Sequence, residues 1–159
     1  MALEKHDIKS TYPLPSYNYR VTILHEAEAV VISCTEVSGL RLEYEPVTYK
    51  HGLSFLMGMH ILPGMPQPIR LTMKKGLVQG HEVLHRWIDS ASTGPWSPGT
   101  QRDILIDLCD EAGQAVVRWT VQGALPVTWE APTFDANSND VAIETLELVA
   151  HGLQVDYHP

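Results

Sequence analysis

The residue spacing that most directly suggests chemistry in this chain is His81-Glu82-Val83-Leu84-His85. Two histidines four positions apart share one side of a helix and can bind Zn²⁺ together, with the intervening glutamate as a general base. Such a site needs a third protein ligand, and only His151 and Glu111 are candidates. Both lie in or beside predicted strands. The pattern therefore allows a small zinc hydrolase, but it favours two histidines that flank the apolar side of an ordinary helix.

Other catalytic patterns are weaker in the sequence. The glycines are scattered at predicted turns, and neither a nucleophile elbow nor a phosphate-binding loop occurs. Cys34 and Cys109 both lie in apolar runs, which predicts two free, buried thiols. Asp107, Asp110 and Glu111 are predicted to form a solvated, charged turn. We therefore expect no cofactor, no metal and no catalytic residues.

Length and charge narrow the classes of function. The 159 residues are enough for one domain, and 11 Lys and Arg against 19 Asp and Glu give a net charge of -8. An acidic chain repels phosphate backbones, so specific nucleic-acid binding is not expected. No apolar run approaches the length of a membrane span, and the first ten residues lack the apolar stretch of a secretion signal. We expect no membrane anchor, and synthesis in the cytosol.

The elements that must position these residues are mainly strands. Residues 1–16 are polar with two prolines and predict an N-terminal arm, followed by a single β domain over 17–159. Strands are predicted at residues 17–24, 29–34, 40–45, 69–75, 102–109, 115–122, 125–131 and 141–157, and a helix at residues 81–91. The apolar parity of the last strand changes near His151, which predicts a bulge there. The fold class is mainly β with one α-helix, in an antiparallel β-barrel or sandwich.

The segment from Pro46 to Leu62 is apolar but interrupted by Gly52 and Gly58, which predicts a long hairpin or an extended loop. Its apolar side chains would be difficult for one small domain to cover. Two interpretations remain open, a further core strand or a surface that becomes buried in a neighbouring subunit.

With its segments in order, the chain resembles the inner-tube proteins of contractile tails, the family of phage tail tubes and bacterial contractile injection particles. The resemblance rests on YPLPSYNYRVTI, EVSGL, LTMKKGL, LHRWI, RDILIDLCDEAGQAVVRWTVQGALPVTWEAP and FDANSNDVAIETLELVAHGL, which together cover nearly the whole chain. The opening YPLPSY is more similar to tubes of extracellular contractile injection systems than to those of long-tailed phages. The stretch SFLMGMHILPGMPQP departs from the family, being more apolar than its usual Gly-rich hairpin.

The resemblance implies a structural protein without catalysis, whose sheets join into hexameric rings that stack into a hollow tube. It implies sheath protein, a baseplate or spike hub and a tube cap as partners, with cargo in the lumen. Contacts between copies are expected at Tyr12, Tyr17, Tyr49, Lys50, Leu53, Phe55, Leu56, Met57 and Met59, and lumen-facing acids at Glu43, Glu45 and Asp103. A baseplate-proximal initiator ring and a secreted, tube-like effector of type VI secretion are alternatives. The resemblance also implies assembly in the bacterial cytoplasm, and the sequence leaves open whether the particle is released from the cell.

Overall fold

The computed structural model describes residues 12–26, 28–80, 82–94 and 98–159, which form ten strands and two α-helices. The strands are β1 Tyr19–His25, β2 Glu28–Ile32, β3 Glu36–Ser38, β4 Tyr44–Tyr49, β5 His60–Pro66, β6 Ile69–Gly76, β7 Arg102–Cys109, β8 Ala115–Glu130, β9 Ile143–Ala150 and β10 Gly152–Asp156. The helices are α1 Ser54–Met57 and α2 Val83–Thr93, and a 3₁₀ turn spans Pro98–Thr100. The mainly antiparallel β class is confirmed.

Seven strands pair in the order β2-β1-β7-β8-β9-β6-β3, and β10, the eighth strand of this sheet, pairs with β8. We call β2, β1, β7, β8 and β10 the first sheet, and β8, β9, β6 and β3 the second sheet. Strand β8 belongs to both, because its first part pairs with β7 and β10 while its second part, from Leu125, pairs with β9. The path ends at β2 and β3, so the sheet of a single chain is open and not a closed barrel.

The core lies between the two sheets and under α2. In β6, Ile69, Leu71 and Met73 are buried while alternate residues face outward, as period-2 patterning requires. Helix α2 contributes Trp87, which is fully buried and donates a hydrogen bond from Nε1 to the carbonyl oxygen of Thr100 at 2.7 Å. The Arg102 guanidinium lies 5.0 Å from the centre of the Trp87 ring. Neither helix in the described residues has the length and apolar character needed to cross a bilayer.

Several predicted elements differ from those observed. The expected strand at residues 40–45 is wrong: β3 ends at Ser38 and β4 starts at Tyr44. The expected single helix is also wrong, because the short helix α1 forms within the segment from Pro46 to Leu62. Predicted strands 115–122 and 125–131 are one continuous strand. Gly123 lies between the two predicted segments with φ of 65°, and the strand continues through it.

The last strand confirms the predicted irregularity, because His151 separates β9 from β10. In β9 the even positions Leu146, Leu148 and Ala150 are buried, as expected. In β10 only Leu153 packs against the core, while Val155 and Tyr157 are exposed. The odd positions therefore face the core only at the start of β10.

Candidate self-assembly surfaces

The hairpin formed by β4, α1 and β5 is a separate two-stranded sheet, in which Val47 pairs with Leu62 and Thr48 with Ile61. Its tip is shaped by local hydrogen bonds. The Ser54 Oγ accepts a hydrogen bond from the His51 amide at 2.7 Å, and the Gly58 amide donates to the Ser54 carbonyl oxygen at 2.8 Å. The tip thus keeps a defined turn although none of the residues of α1 is buried.

The apolar side chains of this hairpin lie on the surface of the single chain. All six residues of β4 are exposed, and Phe55 at the tip retains 82% of its accessible surface. The other exposed apolar side chains of the hairpin are Leu53, Leu56, Met57, Met59, Ile61, Leu62 and Met65. The core-strand interpretation of this segment is therefore wrong, and its apolar surface is available to another molecule.

The remaining residues expected at contacts between copies are exposed as well. Tyr49 and Lys50 lie at the end of β4, beside the hairpin tip. Tyr12 and Tyr17 lie ahead of β1, in the described part of the N-terminal arm. Residues 1–11 of the arm lie outside the described residues. The tyrosines of the arm and the hairpin are thus placed on different elements.

The acidic residues expected in the lumen lie on two elements. Glu43 precedes β4 and pairs with Arg41, and Glu45 accepts a 3.5 Å hydrogen bond from Gln67. Asp103 begins β7 and accepts a 2.9 Å hydrogen bond from the Gly123 amide. Gln67 and Gly123 line the same open cleft of about 450 Å³. The hydrogen-bond partners of Glu45 and Asp103 therefore line one cleft.

The residues of the potential zinc site have other surroundings. His81 lies outside the described residues, and Glu82 is exposed at the position preceding α2. His85 Nε2 is 3.6 Å from Glu144 Oε2, and its ring meets the Trp129 ring edge-on at 5.0 Å. The residues that the structure describes contain no group of three His, Cys, Asp or Glu arranged to hold a metal. His85 therefore contacts a carboxylate and an indole at the junction of α2 and the second sheet.

That junction contains a buried carboxylate which the sequence did not single out. Glu144 accepts hydrogen bonds from Lys75 Nζ at 2.9 Å and Trp129 Nε1 at 3.0 Å. Burial raises the pKa of Glu144, but the hydrogen bonds from Lys75 and Trp129 and the charges of Lys75 and His85 outweigh burial and lower it. Glu144 occupies an even position, as the buried residues of β9 do, and this alternation in the sequence could have identified it as buried. Trp129 itself is partly exposed.

A second buried carboxylate corrects the prediction of a solvated turn. Asp107 is buried in the first sheet, where Arg118 Nε and Nη2 donate to its two oxygens at 2.6 and 2.9 Å. Arg20 Nη2 is 3.8 Å from the same carboxylate. Only Asp110 and Glu111 belong to the turn, where Asp110 Oδ1 accepts two backbone amides. The register of β1, β7 and β8 brings these charges together, and no local pattern reveals it.

Both cysteines are free thiols, as predicted. Cys109 is buried, and Cys34 is partly buried beside Lys75 in the small cavity under α2. Burial raises the pKa of the Cys34 thiol to about 11, although the Lys75 charge acts in the opposite direction. Cys34 is therefore a packing group and not a nucleophile at neutral pH.

Comparison with known proteins gives a consistent assignment. The family model of the T4-like virus tail tube protein gp19 matches residues 15–154. A chain of the PVC sheath-tube complex of an extracellular contractile injection system, in the extended state, is 29% identical with a TM-score of 0.84, over 98% of this chain and 99% of that chain. No curated protein sequence matches the chain directly.

Two further structures are similar. A chain of the PVC sheath/tube terminator is 31% identical with a TM-score of 0.78, over 91% of this chain and 97% of that one. A chain of the anti-feeding prophage cap is 30% identical with a TM-score of 0.78, over 99% of both chains. Since the family model spans most of its length, the chain belongs to the T4-like virus tail tube protein gp19 family and is a tail tube protein of contractile injection systems.

Proposed function

We propose that this chain is the main subunit of a hollow inner tube, assembled as stacked hexameric rings that are driven through a target envelope when a surrounding sheath contracts. The observation that carries the proposal is the exposed apolar hairpin around Phe55. A single chain that leaves so much contiguous apolar surface in water is stabilised by covering it, and copies of itself are the partner that a tube requires.

Lateral contacts within a ring are assigned to the open sheet edges. Strands β2, β3 and β10 each pair on one side only within the described chain. Unpaired backbone N–H and C=O groups at such edges readily pair with another chain. A contact between different edges of neighbouring copies, repeated by rotation, closes a ring. The proposed hexameric count comes from the family resemblance.

Contacts between rings are assigned to the hairpin and the N-terminal arm. The hairpin residues in this surface are Tyr49, Lys50, Leu53, Phe55, Leu56, Met57 and Met59, and the arm residues are Tyr12 and Tyr17. Their exposure supports this role. Because the hairpin forms its own two-stranded sheet, it can be covered by a neighbour without rearranging the core.

The proposed partners follow from the related assemblies. Similar chains occur in a sheath-tube complex, a sheath/tube terminator and a tube-terminating cap, and we assign sheath, terminator or cap, and baseplate hub as partners here. Glu43, Glu45 and Asp103 are proposed to face the lumen, where acidic side chains limit the sticking of acidic cargo. A map of the assembled tube with a strongly basic channel would reject this placement.

The proposed role is not catalytic. Glu82 faces solvent and His85 contacts Glu144, so the positions expected for a base and a ligand do not converge. A zinc hydrolase predicts stoichiometric zinc in protein purified without added metal, and activity that Glu82→Gln removes. Elemental analysis that finds zinc at one ion per chain would reopen that function.

Electron microscopy of the purified protein tests the proposal. Wild type should form rings with six-fold symmetry and stacked tubes. Phe55→Asp combined with Met57→Asp should leave folded rings that do not stack, while Tyr157→Asp, another exposed aromatic outside the hairpin, should still form tubes. A monomer that stays monomeric at high concentration would contradict the tube function.

A ring at one end of the tube is the second candidate, favoured by the similarity to the terminator and cap chains. Such a ring would bind the end of a tube built from another protein and would not extend into long tubes alone. Long tubes formed by this chain alone would exclude it.

A further inference from the structure

The molecule has a second exposed apolar surface, at the end of β8 and β9 where residues 132–143 form a loop. This loop lines an open cleft of about 840 Å³. We call it the acceptor cleft. Its apolar lining residues Phe134, Val141 and Ile143 are exposed, and so are the neighbouring Leu77 and Val78. The Leu77 amide donates to the Ala142 carbonyl oxygen at 3.0 Å, which joins the segment after β6 to the loop.

The hairpin and the acceptor cleft are attached to opposite ends of the second sheet. Strand β6 pairs with β9 from Ile69 opposite Ala150 to Gly76 opposite Ile143. The hairpin joins β6 at Ile69, whereas the cleft follows directly from Gly76 and Ile143. An eight-residue strand is roughly 26 Å long, so the two attachment points are separated by about that distance.

The two surfaces are complementary in charge. The hairpin segment from Pro46 to Leu62 contains the positively charged Lys50 and no carboxylate. The loop segment from Ala131 to Ala142 contains Asp135 and Asp140 and no basic residue. Apolar side chains surrounded by charges of opposite sign on the two sides favour a specific contact over indiscriminate aggregation.

Both surfaces are held in shape before they meet. In the loop, Asp135 Oδ1 accepts the Asn137 amide at 2.9 Å, and Asp140 Oδ2 accepts the Ser138 hydroxyl at 2.6 Å. In the hairpin tip, the helical turn of α1 presents Phe55 with most of its surface free. A preformed protrusion that enters a preformed cleft loses less conformational entropy on binding than two flexible segments do.

We propose that the hairpin tip of one copy inserts into the acceptor cleft of a copy in the adjacent ring. This rests on the proposed function, since it names the receiving surface of the ring-to-ring contact. Because donor and acceptor are different surfaces at opposite ends, the contact repeats in one direction and gives a stack with distinct ends. One end of each tube then presents free hairpins, and the other presents free clefts.

The test uses two variants of the full chain. The donor variant carries Phe55→Asp and Met57→Asp, and the acceptor variant carries Phe134→Asp and Val141→Asp. All four side chains are exposed, so melting temperatures measured at low protein concentration, where rings do not stack, should stay at the wild-type value. Each variant alone should form rings without tubes. An equimolar mixture should form pairs of rings, because only one intact hairpin face and one intact cleft face remain to meet.

A charge exchange provides the matched control. Lys50→Glu should reduce tube formation at low salt, and Asp140→Lys in the same chain should restore it. Wild-type tubes together with unaltered tubes from the acceptor variant would overturn the cleft assignment and leave the tube function standing. Wild-type protein that forms neither rings nor tubes would overturn both.

Discussion

At the centre of the first sheet, Asp107 is a buried carboxylate held by two arginines of different geometry. Arg118 binds it through two hydrogen bonds, which raises the Arg118 pKa, while Arg20 approaches only to 3.8 Å and is half exposed. Hydrogen bonds between charged groups contribute more than a distant, solvated pair does. The chain therefore relies on one of these two ion pairs.

We expect Asp107→Asn to lower the free energy of unfolding by about 2 kcal/mol, because it removes the charge that Arg118 was placed to bind. Arg20→Gln is the control and should cost less than about 1 kcal/mol. Urea unfolding of both variants measures the difference. A loss in Arg20→Gln as large as that in Asp107→Asn would contradict the dominant role of Arg118.

Glu144 should make stability depend on acid. Its pKa is lowered from the ordinary 4.5, so the folded state favours the charged carboxylate more than the unfolded state does. This contribution is fully present above the ordinary pKa and is lost as pH falls through the lowered value. We expect the stability difference between wild type and Glu144→Gln to be constant near neutral pH and to shrink below about pH 4.5. A difference that grows in acid would contradict this.

Cys34 should react slowly with thiol reagents. A pKa of about 11 instead of 9.0 reduces the thiolate fraction about a hundredfold at mildly alkaline pH. Labelling of native protein should therefore be slow, and unfolding in denaturant should expose both cysteines to fast labelling. The Cys34→Ser variant assigns the signal. Rapid labelling of folded wild type at Cys34 would show that the thiol is not protected.

At the scale of elements, two glycines share a backbone conformation but have different surroundings. Gly39 and Gly58 have φ of 91° and 81°. A Cβ at Gly39 would come within 2.0 Å of the Arg70 carbonyl oxygen at the start of β6, whereas nothing lies within 4 Å of one at Gly58. Gly39 therefore sets how closely the segment after β3 can approach the second sheet.

We expect Gly58→Ala to cost about 1 kcal/mol, from the strained backbone alone. Gly39→Ala should cost about 3 kcal/mol or more, because backbone atoms must also move. Thermal unfolding of the two variants separates the cost of backbone strain from the cost of the steric clash with Arg70. Similar losses would mean that the backbone near Gly39 yields easily.

Elements with an unbroken alternating pattern were predictable from the sequence. Strands β6 and β7 were predicted within a residue of their observed bounds, and the change of apolar parity near His151 indicated the irregularity that separates β9 from β10. The segment at 40–45 failed because alternation there reflects an exposed connection, in which only Leu40 packs against the core. Helix α1 was missed because four residues are too few to establish a helical period.

The candidate surfaces were only partly predictable. Seven apolar residues among the ten positions from Leu53 to Leu62 made the hairpin conspicuous. Phe134 and Val141 are single apolar residues in a polar loop, so nothing local distinguishes them from ordinary surface residues. They become a surface only once β6 and β9 place the loop beside Leu77. Information of this kind depends on pairing between distant strands.

At the scale of the whole molecule, stability should depend on assembly. Assembly takes up only folded chains, so it raises the apparent melting temperature as the protein concentration increases. We expect the wild-type melting temperature to rise over about a hundredfold range of concentration, and to rise less for Phe55→Asp combined with Met57→Asp. Tyr157→Asp should follow wild type. Identical curves for wild type and the hairpin variant would show that this surface adds nothing to cohesion.

The hairpin hydrogen-bonds as a sheet of its own, apart from the strands that build the core. Mutations in the hairpin therefore have little effect on folding, and selection acts on them mainly through the surface that the hairpin contacts. The hairpin and the surface that receives it can change together within one gene while the core of the protein is retained. Two related tubes produced in one cell could in this way avoid mixing, each subunit accepting only its own kind.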